Sequence, residues 1–221
     1  MQVPSWLHDE ILIIYLHGFA SSSHSGKATY FAQRFQERGI EFHAPDLNLP
    51  EFSTLTVTRM LDQVRALIGA HEDVTLMGSS LGGFVAVHAA VKWPQQVRKV
   101  VLMAPALDFS AEGLSGPGMA RVTDWKRDGH LTIFHYGYGR VMTIAYELYE
   151  DARRYDAMSA NLRMPVLVFQ GRQDTAVNPR TVETWSKRRP NVDLHMLDDD
   201  HQLSGSLAYM WQTIHSFLSL D

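Results

Sequence analysis

The chain has 221 residues, enough for one α/β domain with a substantial core and too few for two. Hydrophobic residues make up 45% and charged residues 20%, which excludes a disordered chain, and a net charge of −4 gives no electrostatic footprint for a nucleic-acid partner. There is no cysteine, so disulfides, cysteine nucleophiles and thiolate metal sites are excluded, and a reducing cytoplasm is the expected setting.

Met1 to Glu10 carries Pro4, His8, Asp9 and Glu10 with no basic start or apolar centre, so it does not read as a signal peptide. Ile11 to Leu16 is the longest apolar run, far too short to span a bilayer. Continuous apolarity of that length is what a strand buried on both faces requires, and His17-Gly18 ends it. A loop rich in serine follows from Phe19 to Gly26. A helix is expected over Lys27 to Arg38, with Ala28, Phe31, Ala32 and Phe35 on one face and Gly39 as its stop.

A second strand is expected over Ile40 to Asp46. Ser53 or Thr54 is expected to cap a helix reaching Ala70, with Met60, Leu61, Val64, Leu67 and Ile68 as its buried stripe. Val74 to Gly83 then reads as a buried strand that turns sharply at a serine into a helix over Leu81 to Lys92. Within it Gly78-Ser79-Ser80-Leu81-Gly82 fits G-x-S-x-G, the nucleophile elbow of serine hydrolases. Small residues two positions either side leave room for a serine held in a strained turn. Gly83 allows close packing of the helix on the sheet.

Val97 to Ala104 is the next expected strand. Alternation then breaks over residues 107–162, which read as a cap-like insertion holding a short ribbon around His130 to Tyr138 and a helix from Arg140 to Arg154. Its aromatics (Trp125, Phe134, Tyr136, Tyr138, Tyr146, Tyr149) suit an acyl pocket and ordinary packing equally well. Regular alternation resumes with a strand over Pro165 to Gln170, a helix over Pro179 to Arg188, a strand over Val192 to Leu197 and a helix over Leu203 to Leu220. Strand–helix alternation of this kind means a mostly parallel sheet with helices on both faces, and catalytic groups gather at its strand carboxyl ends.

That geometry filters the candidates. Ser80 is a weak nucleophile unless a base takes its proton and a third group holds the base. Of eleven histidines, His201 follows the last strand in the polar loop Asp198-Asp199-Asp200-His201-Gln202 and is the expected base. Asp174 follows the strand ending at Gln170 and is the expected acid, with Asp108, just past Ala104, as the alternative. The order Ser80, Asp174, His201 is that of an α/β-hydrolase triad. Two oxyanion donors are needed, and the backbone N–H groups of Leu81 and Phe19 are the expected pair, with His17 and Gly18 supporting the loop.

On these residues the chain resembles the α/β-hydrolase superfamily from Ile11 to Phe217, carried by His17-Gly18-Phe19, the elbow Gly78 to Gly83, Gly171 with Asp174, and His201. More narrowly, Tyr15-Leu16-His17-Gly18-Phe19 with Ser22, Ser25, Lys27 and Ala28 is similar to small bacterial serine esterases. The resemblance implies an α/β-hydrolase fold over residues 1–221 as a single domain, with six strands, or seven if Val3 to Leu7 pairs at an edge. It implies a serine hydrolase acting on a small-molecule carboxylic ester. An acyl thioesterase, a C–C hydrolase or lyase, and a catalytically silent binding module are the alternatives.

Two further motifs fail. Gly18 to Lys27 departs twice from the phosphate-loop pattern, at Ser21 and Ala28, so no nucleotide is expected. The aspartates before His201 lack a second histidine or spread oxygens, so no metal or other cofactor is expected. The sequence does not define an oligomeric state.

Overall fold

The computed structural model describes residues 11–110 and 119–220. In chain order its elements are β1 (Leu12–Leu16), α1 (Gly26–Gln36), β2 (Glu41–His43), α2 (Val57–Ile68), β3 (Val74–Ser79), α3 (Leu81–Lys92), β4 (Val97–Met103), α4 (Met119–Asp128), β5 (His130–His135), β6 (Arg140–Ala145), α5 (Glu147–Ala152), β7 (Val166–Gly171), α6 (Pro179–Lys187), β8 (Val192–Leu197) and α7 (Leu207–Leu218). Six strands form one parallel sheet in the order β2-β1-β3-β4-β7-β8, and β5 pairs antiparallel with β6 outside it. The expected edge pairing of Val3 to Leu7 lies outside the described residues.

The apolar runs are explained by what lies above and below them. Leu12, Ile14 and Leu16 of β1 join a core with Val64 of α2, Phe84 of α3 and Trp185 of α6. The intervening Ile13 and Tyr15 face Phe31 and Phe35 of α1 and Trp211 and Ile214 of α7. β4 and β7 repeat the alternation: Val100, Leu102, Val166 and Val168 go to the first core, and Val101, Met103, Leu167 and Phe169 to the second. Each such side chain contributes about 1.5–3 kcal/mol by leaving water, so a strand apolar on both faces is stable only in the middle of this sandwich.

Edge strands behave differently. β2 is three residues long and its Glu41 and His43 are exposed, so the strand expected over Ile40 to Asp46 is shorter than its composition implied. The cap of α2 is Thr56, whose hydroxyl accepts the Arg59 N–H at 3.1 Å, while Phe52–Thr54 forms a separate 3₁₀ turn. Neither Ser53 nor Thr54 is the cap.

The 107–162 stretch departs most from expectation. Arg140–Ala145 is the second strand of the ribbon, paired from His130↔Ala145 to His135↔Arg140, and the helix expected over Arg140 to Arg154 is confined to Glu147–Ala152. The Gly137-Tyr138-Gly139 turn, with Gly139 at φ +63°, reverses the chain and hands Val141, Thr143 and Ile144 to β5. Cross-strand pairing of β-branched residues overrides a helical spacing that was real but only half used. α4 had no counterpart among the expected elements. Trp125, on its last turns, donates Nε1–H to the Ile144 carbonyl at 3.0 Å and docks α4 on the ribbon.

Strand ends define the working edge. Leu16 pairs with Gly78, Ser79 with Met103 and Gly171 with Leu197, so the loops after β1, β3, β7 and β8 leave the sheet together.

Candidate active site

Ser80 sits between β3 and α3 at φ 54°, ψ −119°, a left-handed conformation that costs a non-glycine residue about 1–3 kcal/mol. The strain is held by backbone bonds. Ser80 N–H donates to Met103 O at 3.0 Å, and the Ser80 carbonyl accepts from Gly83, Phe84 and Ala106 at 2.9, 3.2 and 3.1 Å. The glycines make the turn possible: a Cβ on Gly78 would strike the Gly82 backbone, and one on Gly82 would strike the Leu16 carbonyl. The Leu81 N–H, first of the helix, belongs to the turn that has no intrahelical acceptor.

The loop after β1 lies against this elbow. A Cβ on Gly18 would stand 3.1 Å from Ser80 Cβ and 3.3 Å from the Ser79 carbonyl, a tight fit that glycine avoids. His17, almost fully buried, fixes the loop from below: Nε2 accepts the Leu47 N–H at 3.0 Å, which leaves the proton on Nδ1 to donate to Gly18 O at 2.9 Å. With Nε2 an acceptor, the 3.3 Å approach of Asp46 Oδ1 is a contact and not an ion pair. Phe19 packs on Phe52 (5.7 Å between centroids), Phe52 meets His135 edge-on (4.6 Å), and His135 stacks on Tyr138 (4.2 Å). The ribbon thus reaches the loop after β1. Gly137 N–H donates to Ala20 O at 3.1 Å, and Tyr138 O–H donates to Asp46 Oδ2 at 2.6 Å.

Asp174 and His201 meet from β7 and β8. His201 Nδ1 donates to Asp174 Oδ2 at 2.8 Å. The carboxylate is fully buried and takes three more donors: Ala176 and Val177 N–H on Oδ1, both at 2.8 Å, and Gln170 Nε2 on Oδ2 at 2.9 Å. Burial alone would raise this carboxyl; the His201 and Val177 donors, with Gln170, outweigh it and hold it below its usual range. Asp174 is therefore an anion that keeps His201 protonated on Nδ1 and frees Nε2 as a base. Asp108 is not the partner of this ring. The flanking aspartates brace the loop, with Asp200 Oδ1 accepting Gln202 N–H and Asp199 Oδ2 accepting the Ser206 hydroxyl. Gly171 is required there because a Cβ would strike the Asp199 and Asp200 carbonyls.

Ser80, His201, Gly18 and Phe19 line one cavity of about 410 Å³, within the range of small-molecule sites. Tyr136 is the one expected pocket aromatic that lines it; Trp125, Tyr146 and Tyr149 are buried against one another instead. Tyr15 also lines it, and burial, opposed by the Ser25 and Ser79 hydroxyls, pushes its phenol up to about 12, so it stays a neutral donor. Gln170 and Lys27 were not singled out as site residues from the sequence. Gln170 had a signal, a polar residue inside an otherwise apolar strand; Lys27 stood only among the residues of the esterase resemblance, with no role attached. No group of three or more metal-ligating side chains occurs among the described residues. Nor is any helix among them long and apolar enough to cross a membrane.

The parallel sheet with a strained serine after β3 and an acid and histidine after β7 and β8 is the α/β-hydrolase fold. Solved structures agree on that fold. Alpha/beta hydrolase domain-containing protein 10 from mouse is 22% identical with a TM-score of 0.77, over 94% of this chain and 89% of that one. Est1E from Butyrivibrio proteoclasticus, solved with ferulic acid bound, is 18% identical with a TM-score of 0.81, over 98% and 92%. The monoacylglycerol lipase of Paleococcus ferrophilus is 18% identical with a TM-score of 0.76, over 95% and 95%. Among curated proteins none matches the chain. By sequence the chain belongs to UPF0227, an uncharacterised protein family whose model matches residues 12–218.

Proposed function

We propose that the chain is a cofactor-independent serine hydrolase that cleaves carboxylic esters of small or medium acyl groups. Ser80 Oγ attacks the ester carbonyl while His201 Nε2 takes the hydroxyl proton. The tetrahedral oxyanion is met by the Leu81 and Phe19 N–H groups, and His201 then protonates the departing alkoxide. Water, deprotonated by the same nitrogen, attacks the acyl-enzyme; the carboxylic acid leaves and Ser80 regains its proton. Asp174 stays ionised throughout and stabilises the imidazolium. Gly18, His17, Gly78 and Gly82 hold the backbone on which the donors depend.

One observation carries this reading: the 2.8 Å bond from His201 Nδ1 to a buried Asp174, in a ring that shares its cavity with a strained Ser80. The esterase and lipase among the fold neighbours support an ester as substrate class. The same machinery would cleave an acyl thioester, so the assay includes both. The cysteine-free sequence is in keeping with a cytoplasmic enzyme, one domain of which residues 107–162 form the cap.

A fluorophosphonate probe and a chain-length series of aryl esters and acyl thioesters test the proposal. Wild type labels at one site and turns over short and medium esters; Ser80→Ala does neither. Equal labelling of Ser80→Ala, or no turnover by wild type of any member, overturns it.

A further inference from the structure

Lys27 stands in the first turn of α1 and lines the cavity that holds Ser80 and His201. Among the described residues that lining has one lysine, no arginine and no aspartate or glutamate, while Tyr15, Ser21, Ser25 and Ser204 contribute hydroxyls. Among the described residues the ammonium makes one bond, from Nζ to the Gln202 carbonyl at 2.6 Å, a neutral acceptor that leaves two N–H groups of the three an ammonium owns. A partly buried cation beside a proposed nucleophile, with no carboxylate among the described residues of the cavity wall, is complementary to a negative charge on the ligand.

We propose that Lys27 is a specificity-determining residue that selects esters bearing a free carboxylate, on either the acyl or the alcohol portion. The inference rests on the ester-hydrolase reading and names its substrate class. Burial lowers the Lys27 ammonium to about 8, against the opposing pull of Asp200, Asp199 and Asp174 on the neighbouring loops. It is protonated by about tenfold at pH 7 and loses its charge as pH rises through that value. A carboxylate brought into the cavity would favour the charged form further.

The bond to Gln202 O also offers a rival role, in which Lys27 merely pins the loop beside His201. Matched pairs separate the two. The first series is the mono-para-nitrophenyl esters of adipic, pimelic and suberic acids, each with its free carboxylate or that group methylated. The second is meta-carboxyphenyl butyrate against its methyl ester; which series responds tells which portion carries the charge. In wild type the charged member of at least one pair is favoured by about ten- to a hundredfold in kcat/KM, through KM. Lys27→Met abolishes that ratio and Lys27→Arg keeps most of it. The ratio also falls as pH rises through about 8 in wild type. A ratio near one in every pair overturns the proposal. So does a Lys27→Met variant that loses charged and neutral esters equally, which assigns Lys27 to loop positioning. Failure of wild type to hydrolyse even the neutral members overturns the ester-hydrolase reading itself.

Discussion

Replacing Asp174 by asparagine changes one atom and reverses the hydrogen-bond logic of the site. The asparagine oxygen can keep the Ala176 and Val177 donors, both 2.8 Å from Oδ1 in the native carboxylate. Its NH₂ then faces two donors, Gln170 Nε2 and His201 Nδ1–H, where a carboxylate oxygen had accepted both. Gln170 has a way out. Its Oε1 is buried without a partner, so a flip of the amide lets that oxygen accept from the new NH₂, at the cost of the Nε2 bond to Gly171 O. His201 can adapt only by moving its proton to Nε2, which removes the lone pair that the proposed mechanism needs to accept the Ser80 proton. Two charge-assisted bonds at about 1.5–3 kcal/mol each are weakened and one partner is recovered, so the variant stays folded with a loss of about 2 kcal/mol. The effect on rate is far larger: about four orders of magnitude in kcat, as a wrong-tautomer histidine produces in Ser-His-Asp proteases. Steady-state hydrolysis of a para-nitrophenyl ester, with urea unfolding in parallel, measures both quantities. Turnover of folded Asp174→Asn within about tenfold of wild type, or a larger loss from Asp108→Asn, would refute the reasoning.

Two further expectations concern stability. Burial lowers the His88 imidazole to about 4, while the unfolded chain titrates near 6.5. The unfolded state therefore takes up the proton first, and stability that is complete above about pH 6.5 drains away as pH falls toward 4, by about 3 kcal/mol. His88→Gln has nothing to titrate, so its urea-derived stability should fall less than that of wild type between pH 7 and 4.5; parallel curves would remove His88 from the acid response. Depressed Asp174 acts in a lower window, its contribution present above about pH 4 and lost below. Gly82→Ala sets a methyl against the Leu16 carbonyl and 2.7 Å from the His17 carbonyl, backbone atoms that cannot rotate aside. A loss of at least about 3 kcal/mol in urea unfolding is expected, at or beyond the upper end for overpacking, and an unchanged midpoint would contradict the packing argument.

The sheet was legible because the central strands had to carry unbroken apolar runs, Leu12–Leu16 in β1, Val100–Met103 in β4 and Val166–Phe169 in β7. That run-length signal survives in β1, β4 and β7 without any knowledge of their neighbours. α3 was legible to the residue because its start is imposed by the Ser80 turn and its end falls just before Trp93-Pro94. The strand-end rule then brought Ser80, Asp174 and His201 forward, and the structure sets all three at one edge of the sheet. What escaped was what depends on distant pairing. Val141, Ile144, Ala145, Leu148 and Tyr149 have helical spacing, yet the first three lie in a strand because β5 is there to receive them. Lys27 reads locally as an ordinary residue in the first turn of a helix. Only the return of the chain 175 positions later, with Gln202, makes it part of the cavity.

The ribbon shows how the least legible stretch bears on the most legible one. Its outer side chains Phe134 and Val141 are exposed, whereas His135 packs on Phe52, which in turn meets Phe19. Gly137 bonds Ala20, Tyr138 bonds Asp46, and Asn48 Nδ2 ties Asp46 to the Ser21 carbonyl at 2.8 Å. Tyr136, at the tip between those latches, lines the cavity with 80% of its own surface still exposed. The element that lines the cavity and the element proposed to hold the oxyanion donor are thus one hydrogen-bonded unit. A displacement of the ribbon moves Ala20 and Asp46 with it, and a donor aimed at an oxyanion loses about 2.7–4 kcal/mol of transition-state stabilisation when it is lost from its place. Sequence change in residues 130–145 is therefore expected to act on rate as well as on substrate choice, because the loop beneath packs on Phe52 and is hydrogen-bonded to the ribbon.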